Sequence, residues 1–209
     1  MPTLYECDLS IIIPVYNLEE HITPMLDSLK CQQLGDYTVE VIFVLNNCTD
    51  HSEDVIRSSG IECKILNCTT QGCGPARNAG IEKATGMYIW MMDGDDWLIG
   101  DTAIKDVLDK AYTRRHNILR IPFESDLFLY DYFSMVWQYL LKREFIQGIR
   151  FPNYQPGEDD AYMMVVLNKA GYNRTNYLQI PHTDKAYYYY NYMREGSNMY
   201  RCVVKHEEI

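Results

Sequence analysis

Four short apolar runs, each followed by a stretch of helical character, restrict the fold of this chain more than any other feature. They are Leu9–Val15, Val39–Leu45, Cys63–Leu66 and Tyr88–Met92. Their brevity, their β-branched and aromatic content and the turn residues at their ends predict strands buried on both faces. Between them, Thr23-Pro24 reads as an N-cap followed by proline at the first helical position, with Met25, Leu26 and Leu29 on one face. Further helices are predicted over Ser52–Ser58, over Ala76–Ala84 behind Pro75, and over Thr102–Arg114. Strands alternating with helices at this spacing predict an α/β fold with a mostly parallel, mixed central sheet flanked by helices. In such sheets ligands bind beyond the carboxyl ends of the strands, and Asn17, Asn46 and Asp93 all fall at such ends.

Beyond about residue 115 the alternation loosens. Ser134–Arg143, with Trp137, Leu140 and Leu141, is predicted as a helix, Asp159–Lys169 as another, and Ala186–Tyr192 as a tyrosine-dense strand. No repeat or linker divides the 209 residues, so one domain with a single shared sheet is expected.

Asp93-Gly94-Asp95-Asp96-Trp97 directly follows the last of the four runs. Carboxylates crowded together are costly unless something cationic neutralises them. A hard divalent ion, which prefers oxygen ligands and keeps room for phosphate oxygens, suits them. The same residues could instead form a solvated turn that caps the next helix.

The net charge of −10 opposes any non-specific grip on nucleic acid or an anionic membrane. A negatively charged ligand therefore needs a local cation, either a metal or placed arginines. The seven cysteines are irregularly spaced and form no Cys-x-x-Cys, which indicates neither a disulfide framework nor a zinc site. No secretory signal is visible and no apolar run approaches the ~18 residues of a membrane span. A cytoplasmic location is expected, with peripheral membrane contact left open.

Taken in order, five segments resemble the family 2 glycosyltransferases of the GT-A fold. They are Ser10–Asn17, Pro75-Ala76-Arg77-Asn78-Ala79-Gly80, Asp93–Trp97, Glu158-Asp159-Asp160 and Arg194-Glu195-Gly196-Ser197. The resemblance implies a nucleotide-sugar-binding half over about 1–115 and an acceptor-side half over about 116–209. It implies an inverting, metal-dependent transfer of a hexosyl or N-acetylhexosaminyl group from a nucleotide-diphosphate donor, UDP-linked by expectation. The implied acceptor is a hydroxyl of a glycan or lipid-linked saccharide, and the implied ion is Mn²⁺ or Mg²⁺.

The same resemblance distributes the roles. Pro14, Tyr16, Asn17 and Asn46 would form the base pocket, with the Tyr16 ring lying against the base or simply packed at a rim. Asn46 stands where the family commonly carries an aspartate; an amide can accept a hydrogen bond but also donate one. Asp93 would lie near the ribose and Asp95 reach the metal, with Asp96 assisting through water or capping a helix. Arg77 could pair with Asp93 or with phosphate, since its fork suits both. Arg194 would sit on the diphosphate side, and Tyr192 occupies a position where a second arginine is often seen.

An inverting transfer needs a carboxylate to take the proton of the acceptor hydroxyl. Asp159 is assigned that role, with Glu158 and Asp160 as substitutes, although an acidic first helical turn also suits the helix dipole. Trp137 could stack on a sugar or belong to the core. Among the histidines only His182 falls in a region that approaches the site. A nucleotidyltransferase is a rival reading, but Pro14–Asn17 is nothing like a glycine-rich basic loop. A non-catalytic nucleotide-sugar or glycan binding module is another, and it would need no base beside Asp93 and Asp95.

Overall fold

Strand β1 (Cys7–Val15) is the spine of the molecule, and residues Leu9, Ile11, Ile12, Ile13 and Val15 within it have no solvent exposure at all. The structure is a computed structural model and describes residues 5–125, 135–153, 157–173, 176 and 179–191. β2 (Val39–Asn46) and β4 (Gly86–Met91) flank β1 in parallel, and β3 (Lys64–Cys68) lies outside β2. Pro14 is accommodated because the β1–β4 ladder ends at Ile12↔Met91, so its missing N–H falls where no strand lies opposite.

Alternation along β1 sends its side chains into two cores. Ile11 and Ile13 pack with α1 (Thr23–Lys30), α2 (Ser52–Ser58) and α4 (Ala103–Arg114) on one face. Ile12 packs with α3 (Cys73–Lys83) and α5 (Glu158–Lys169) on the other. The contact with α3 is unusually close. A Cβ on Gly80 would lie 2.3 Å from Ile12 Cγ2, so only glycine allows the helix to seat this deep. Gly80→Ala is expected to destabilise the fold by roughly 1–3 kcal/mol, because helix or sheet must shift to admit the methyl. Thermal or urea unfolding checks this, and an unchanged midpoint would show that the helix moves at no cost.

The second half corrects one expectation. The segment read as a helix over Ser134–Arg143 is, in its described part, a single 3₁₀ turn at Val136–Gln138 followed by strand β8 (Tyr139–Lys142). β8 inserts antiparallel between β4 and β6 (Ile118–Arg120), giving the sheet order β3-β2-β1-β4-β8-β6. Trp137, Leu140 and Leu141 suit either periodicity. The decisive factor is tertiary: β8 is buried on both faces, with Leu140 in one core and Leu141 in the other. The two halves therefore share one sheet, as expected, but a second sheet is also present. It is three-stranded, in the order β5 (Trp97–Leu98), β9 (Tyr188–Tyr190), β7 (Phe123–Ser125). The tyrosine-dense strand is thus found, over a shorter span than Ala186–Tyr192.

Candidate active site

The carboxyl ends of β1, β2, β3 and β4 lie along one edge, because all four strands run in parallel. The loops that follow β1 and β2 are stitched together. Thr49 N–H donates to Asn17 Oδ1 at 2.8 Å, Leu18 N–H to Ser52 Oγ at 2.7 Å, and Glu19 N–H to Asp50 at 2.9 Å. Asn17 and Asn47 both hold left-handed backbone, φ 50° and 58°, which asparagine tolerates better than other residues with a Cβ. Above this fixed rim Tyr16 stands 59% exposed, a large ring open to a ligand.

Asn46 behaves differently from a base-contacting carboxylate. It is 5% exposed, its amide donates to the carbonyls of Cys68 (3.1 Å) and Thr70 (2.7 Å), and its oxygen accepts Gly72 N–H at 2.9 Å. The side chain thus ties the end of β2 to the loop that launches α3. This explains an amide at the position, since a carboxylate cannot donate to two carbonyls. Asn46→Asp should cost on the order of 1–3 kcal/mol by removing the amide donor that those carbonyls share and setting a new charge beside them. Denaturant unfolding tests it, and wild-type stability would show that the tie is dispensable.

Arg77 is the centre of the site. Its side chain is only 4% exposed, and it leaves α3 toward two carboxylates from distant parts of the chain. Nη2 donates to Asp93 Oδ1 at 2.8 Å and Nη1 to Asp159 Oδ1 at 2.5 Å, with Glu158 Oε1 3.9 Å from Nη1. The guanidinium also lies 5.5 Å above the centre of the Phe151 ring. Burial opposes its charge, but the carboxylates outweigh this and raise its pKa, so it stays cationic. Three carboxylates share this one cation, leaving an excess of negative charge.

Asp159 has its pKa pushed up to about 7, chiefly by burial, with Asp93 and Glu158 adding to the rise and Arg77 and the Val136 N–H opposing it. Its side chain nevertheless keeps 27% of its surface accessible, so the residue is not sealed from solvent. Asp160 occupies the same first turn of α5.

Asp96 is neither a helix cap nor a solvent-facing group. It is 1% exposed, accepts Tyr188 OH at 2.6 Å and Asn191 N–H at 2.8 Å, and its pKa is raised by burial and then by Asp95 and Asp93. Tyr188 in turn accepts Asp93 N–H at 2.9 Å, and Asn191 Nδ2 donates to the carbonyl of Asp95 at 3.2 Å. Gly94 lets this loop pack down, because a Cβ there would sit 2.8 Å from Leu18. The acidic loop is therefore clamped by β9, an arrangement the sequence reading missed. Its only signal was the tyrosine density of the late strand.

Trp137 proves to be core. It is 3% exposed and stacks on Tyr188 at 4.8 Å and Tyr190 at 4.9 Å. His182 pairs with edge strand β6 and lines a separate cleft of about 600 Å³ with Lys110, His116 and Asp184, so it does not join the cluster. Arg194 and Tyr192 lie outside the described residues.

As to metal, no group of three or more His, Cys, Asp or Glu side chains stands ready to hold an ion among the described residues. Asp93 and Asp95 are oxygen donors of the type that a hard divalent ion takes, and such an ion commonly completes its shell with phosphate and water.

A parallel strand edge carrying an acidic loop, faced by the acidic start of α5, is the frame of a GT-A-like α/β fold. The chain belongs to glycosyltransferase family 2, whose model matches residues 10–175. It is 29% identical over 186 residues to an uncharacterized glycosyltransferase of Haemophilus influenzae, covering 78% of this chain and 72% of that one. Over 95 residues it is 35% identical to the putative glycosyltransferase EpsH of Bacillus subtilis, covering 44% of this chain and 27% of EpsH. In structure it is similar to Staphylococcus aureus TarS 1-349 in complex with UDP-GlcNAc, with a TM-score of 0.79 and 24% identity over 92% of this chain and 60% of that one. It is also similar to the mannosyltransferase PcManGT of Pyrobaculum calidifontis in complex with GDP-Man and Mn²⁺, with a TM-score of 0.70 and 18% identity over 94% of this chain and 60% of that one. The chain thus spans well under half of EpsH and about 60% of the two solved chains. No helix among the described residues is long and apolar enough to cross a membrane.

Proposed function

We propose that this chain is an inverting, metal-dependent glycosyltransferase that moves a hexosyl or N-acetylhexosaminyl group from a UDP-linked donor to a hydroxyl of a glycan or lipid-linked saccharide. The observation that carries this reading is the meeting of Asp93, at the end of β4, with Asp159, at the start of α5, on one buried guanidinium. That meeting sets a donor-side carboxylate beside an acceptor-side one, which a binding module does not need.

In this reading Pro14, Tyr16 and Asn17 line the base pocket, Asn46 shapes it and Asp93 lies near the ribose, while the resemblance assigns Arg194 to the diphosphate. Asp95, with Asp93, would hold Mn²⁺ or Mg²⁺, which when bound supplies Lewis-acid stabilisation of the leaving diphosphate. The acceptor oxygen attacks the anomeric carbon from the face opposite the diphosphate. Its proton passes to Asp159 as the new bond forms and the bond to the diphosphate breaks. TarS, in complex with UDP and with UDP-GlcNAc, supports a uridine donor.

A thermal-shift and calorimetric screen of UDP- and GDP-sugars, with Mn²⁺ or EDTA, tests the assignment. Saturable binding of a UDP-sugar that strengthens with Mn²⁺ is expected. A preference for GDP-sugars would overturn the uridine reading, and no binding of any nucleotide-sugar would remove the transferase reading.

A further inference from the structure

The family resemblance leaves Arg77 either a contact of phosphate or a partner of Asp93. The geometry points to a third role, and we infer that Arg77 is a positioning residue for the acceptor-side base, holding Asp159 in place relative to the donor-side Asp93. This rests on the reading of Asp159 as the base.

Both terminal nitrogens of Arg77 are already engaged by carboxylates, and its Nε is buried without a hydrogen-bond partner. With 4% of its side chain exposed, it presents little surface to an incoming diphosphate. The residue is seated from several sides. α3 is drawn onto β1 by Gly80, the Phe151 ring lies beneath the guanidinium, and Phe151 itself stacks on buried Tyr162 at 3.8 Å. Arg77 and Asp159 are 82 positions apart, on helices that share the same face of the sheet. A planar fork with separate Nη donors can hold two carboxylates at a fixed separation, which a single ammonium cannot do.

The groups facing Asp159 are Arg77 and the Cys73 thiol from α3, Asp93 from the end of β4, Glu158 and the Tyr162 hydroxyl from its own helix, and the Val136 N–H from the 3₁₀ turn. Arg77 is the only side-chain cation among these groups. Without it, Asp159 would be left beside two other carboxylates, displaced from its seat and harder to ionise.

The test uses UDP as the binding probe and Mn²⁺-dependent release of UDP from UDP-GlcNAc, with water as acceptor, as the turnover probe. Arg77→Gln is expected to bind UDP within about threefold of wild type while kcat falls about 100-fold. The acid limb of its pH–kcat profile should move up by about one unit, and Arg77→Lys should return that limb while kcat stays low. In an Asp159→Asn background, Arg77→Gln should lower the residual rate by no more than about twofold, because both changes act through one carboxylate.

A tenfold or greater loss of UDP affinity with kcat retained would make Arg77 a donor contact and overturn the inference. Full additivity in the double variant would do the same. Wild-type turnover in Asp159→Asn alone would instead remove the base assignment on which the inference rests. Should Arg77→Gln fail to fold, Phe151→Leu keeps every charge and disturbs only the seat of the guanidinium. It should lower kcat about threefold or more with UDP affinity held, and an unchanged kcat would count against the proposal.

Discussion

Asp159→Asn is expected to reduce transfer by about 10²–10⁴-fold while leaving UDP affinity close to wild type. The substitution is nearly isosteric, and the amide oxygen can still accept from Arg77 Nη1, so the ion-pair cluster keeps its shape. What is lost is the ability to take a proton. In the wild-type enzyme the carboxyl titrates near 7 because burial, Asp93 and Glu158 outweigh the pull of Arg77. The base is the ionised form, so kcat should rise with pH through about 7 and level off above it, whereas the residual rate of the variant should be flat across that window. A rate that falls with rising pH would mean that the protonated carboxyl is the active form, acting as an acid. Full transfer by the variant would take Asp159 out of the mechanism.

How much of this could be read from the chain depends on the range over which each signal acts. The first four strands and the helices between them are local patterns, and the structure reproduces them to within a few residues. The Asp93–Asp96 turn was legible because three aspartates and a glycine directly follow an apolar run. The second half was harder. Residues 135–142 became a 3₁₀ turn and a strand because the space between β4 and β6 is buried on both sides, a fact of tertiary packing that Trp137, Leu140 and Leu141 do not announce.

The site shows the same division. That Arg77 and Asp93 belonged together was open to a reading of the family pattern, although the role of the arginine was not. Its bond to Asp159 joins positions 82 apart, and no periodicity reports such a pairing. Asn46 was visible as a departure from the family's usual carboxylate. Its reason was not, because the two carbonyls it serves, those of Cys68 and Thr70, become neighbours only when β2 and β3 pair. The clamp of Tyr188 and Asn191 on Asp96 was hidden for the same cause.

Asp95→Ala is expected to abolish the part of UDP affinity that depends on Mn²⁺, so that binding measured with Mn²⁺ equals binding measured in EDTA. The expectation rests on the resemblance of Asp93-Gly94-Asp95 to the family's Asp-x-Asp motif, which implies that Asp95 reaches the metal. Asp93 gives one oxygen to Arg77, and Asp96 is buried against Tyr188 and Asn191. Asp95 shares their turn, and its backbone carbonyl accepts Asn191 Nδ2, so the same clamp that seats Asp96 also fixes the backbone at Asp95. Losing the Lewis acid removes several kcal/mol of stabilisation from the leaving diphosphate, and UDP-GlcNAc turnover should fall about 100-fold or more. Stability in EDTA should stay within about 0.5 kcal/mol of wild type, because the clamp on Asp96 survives the change. That last measurement separates the readings: a variant that unfolds would make Asp95 structural, and one that still binds UDP more tightly with Mn²⁺ would place the ion on other ligands.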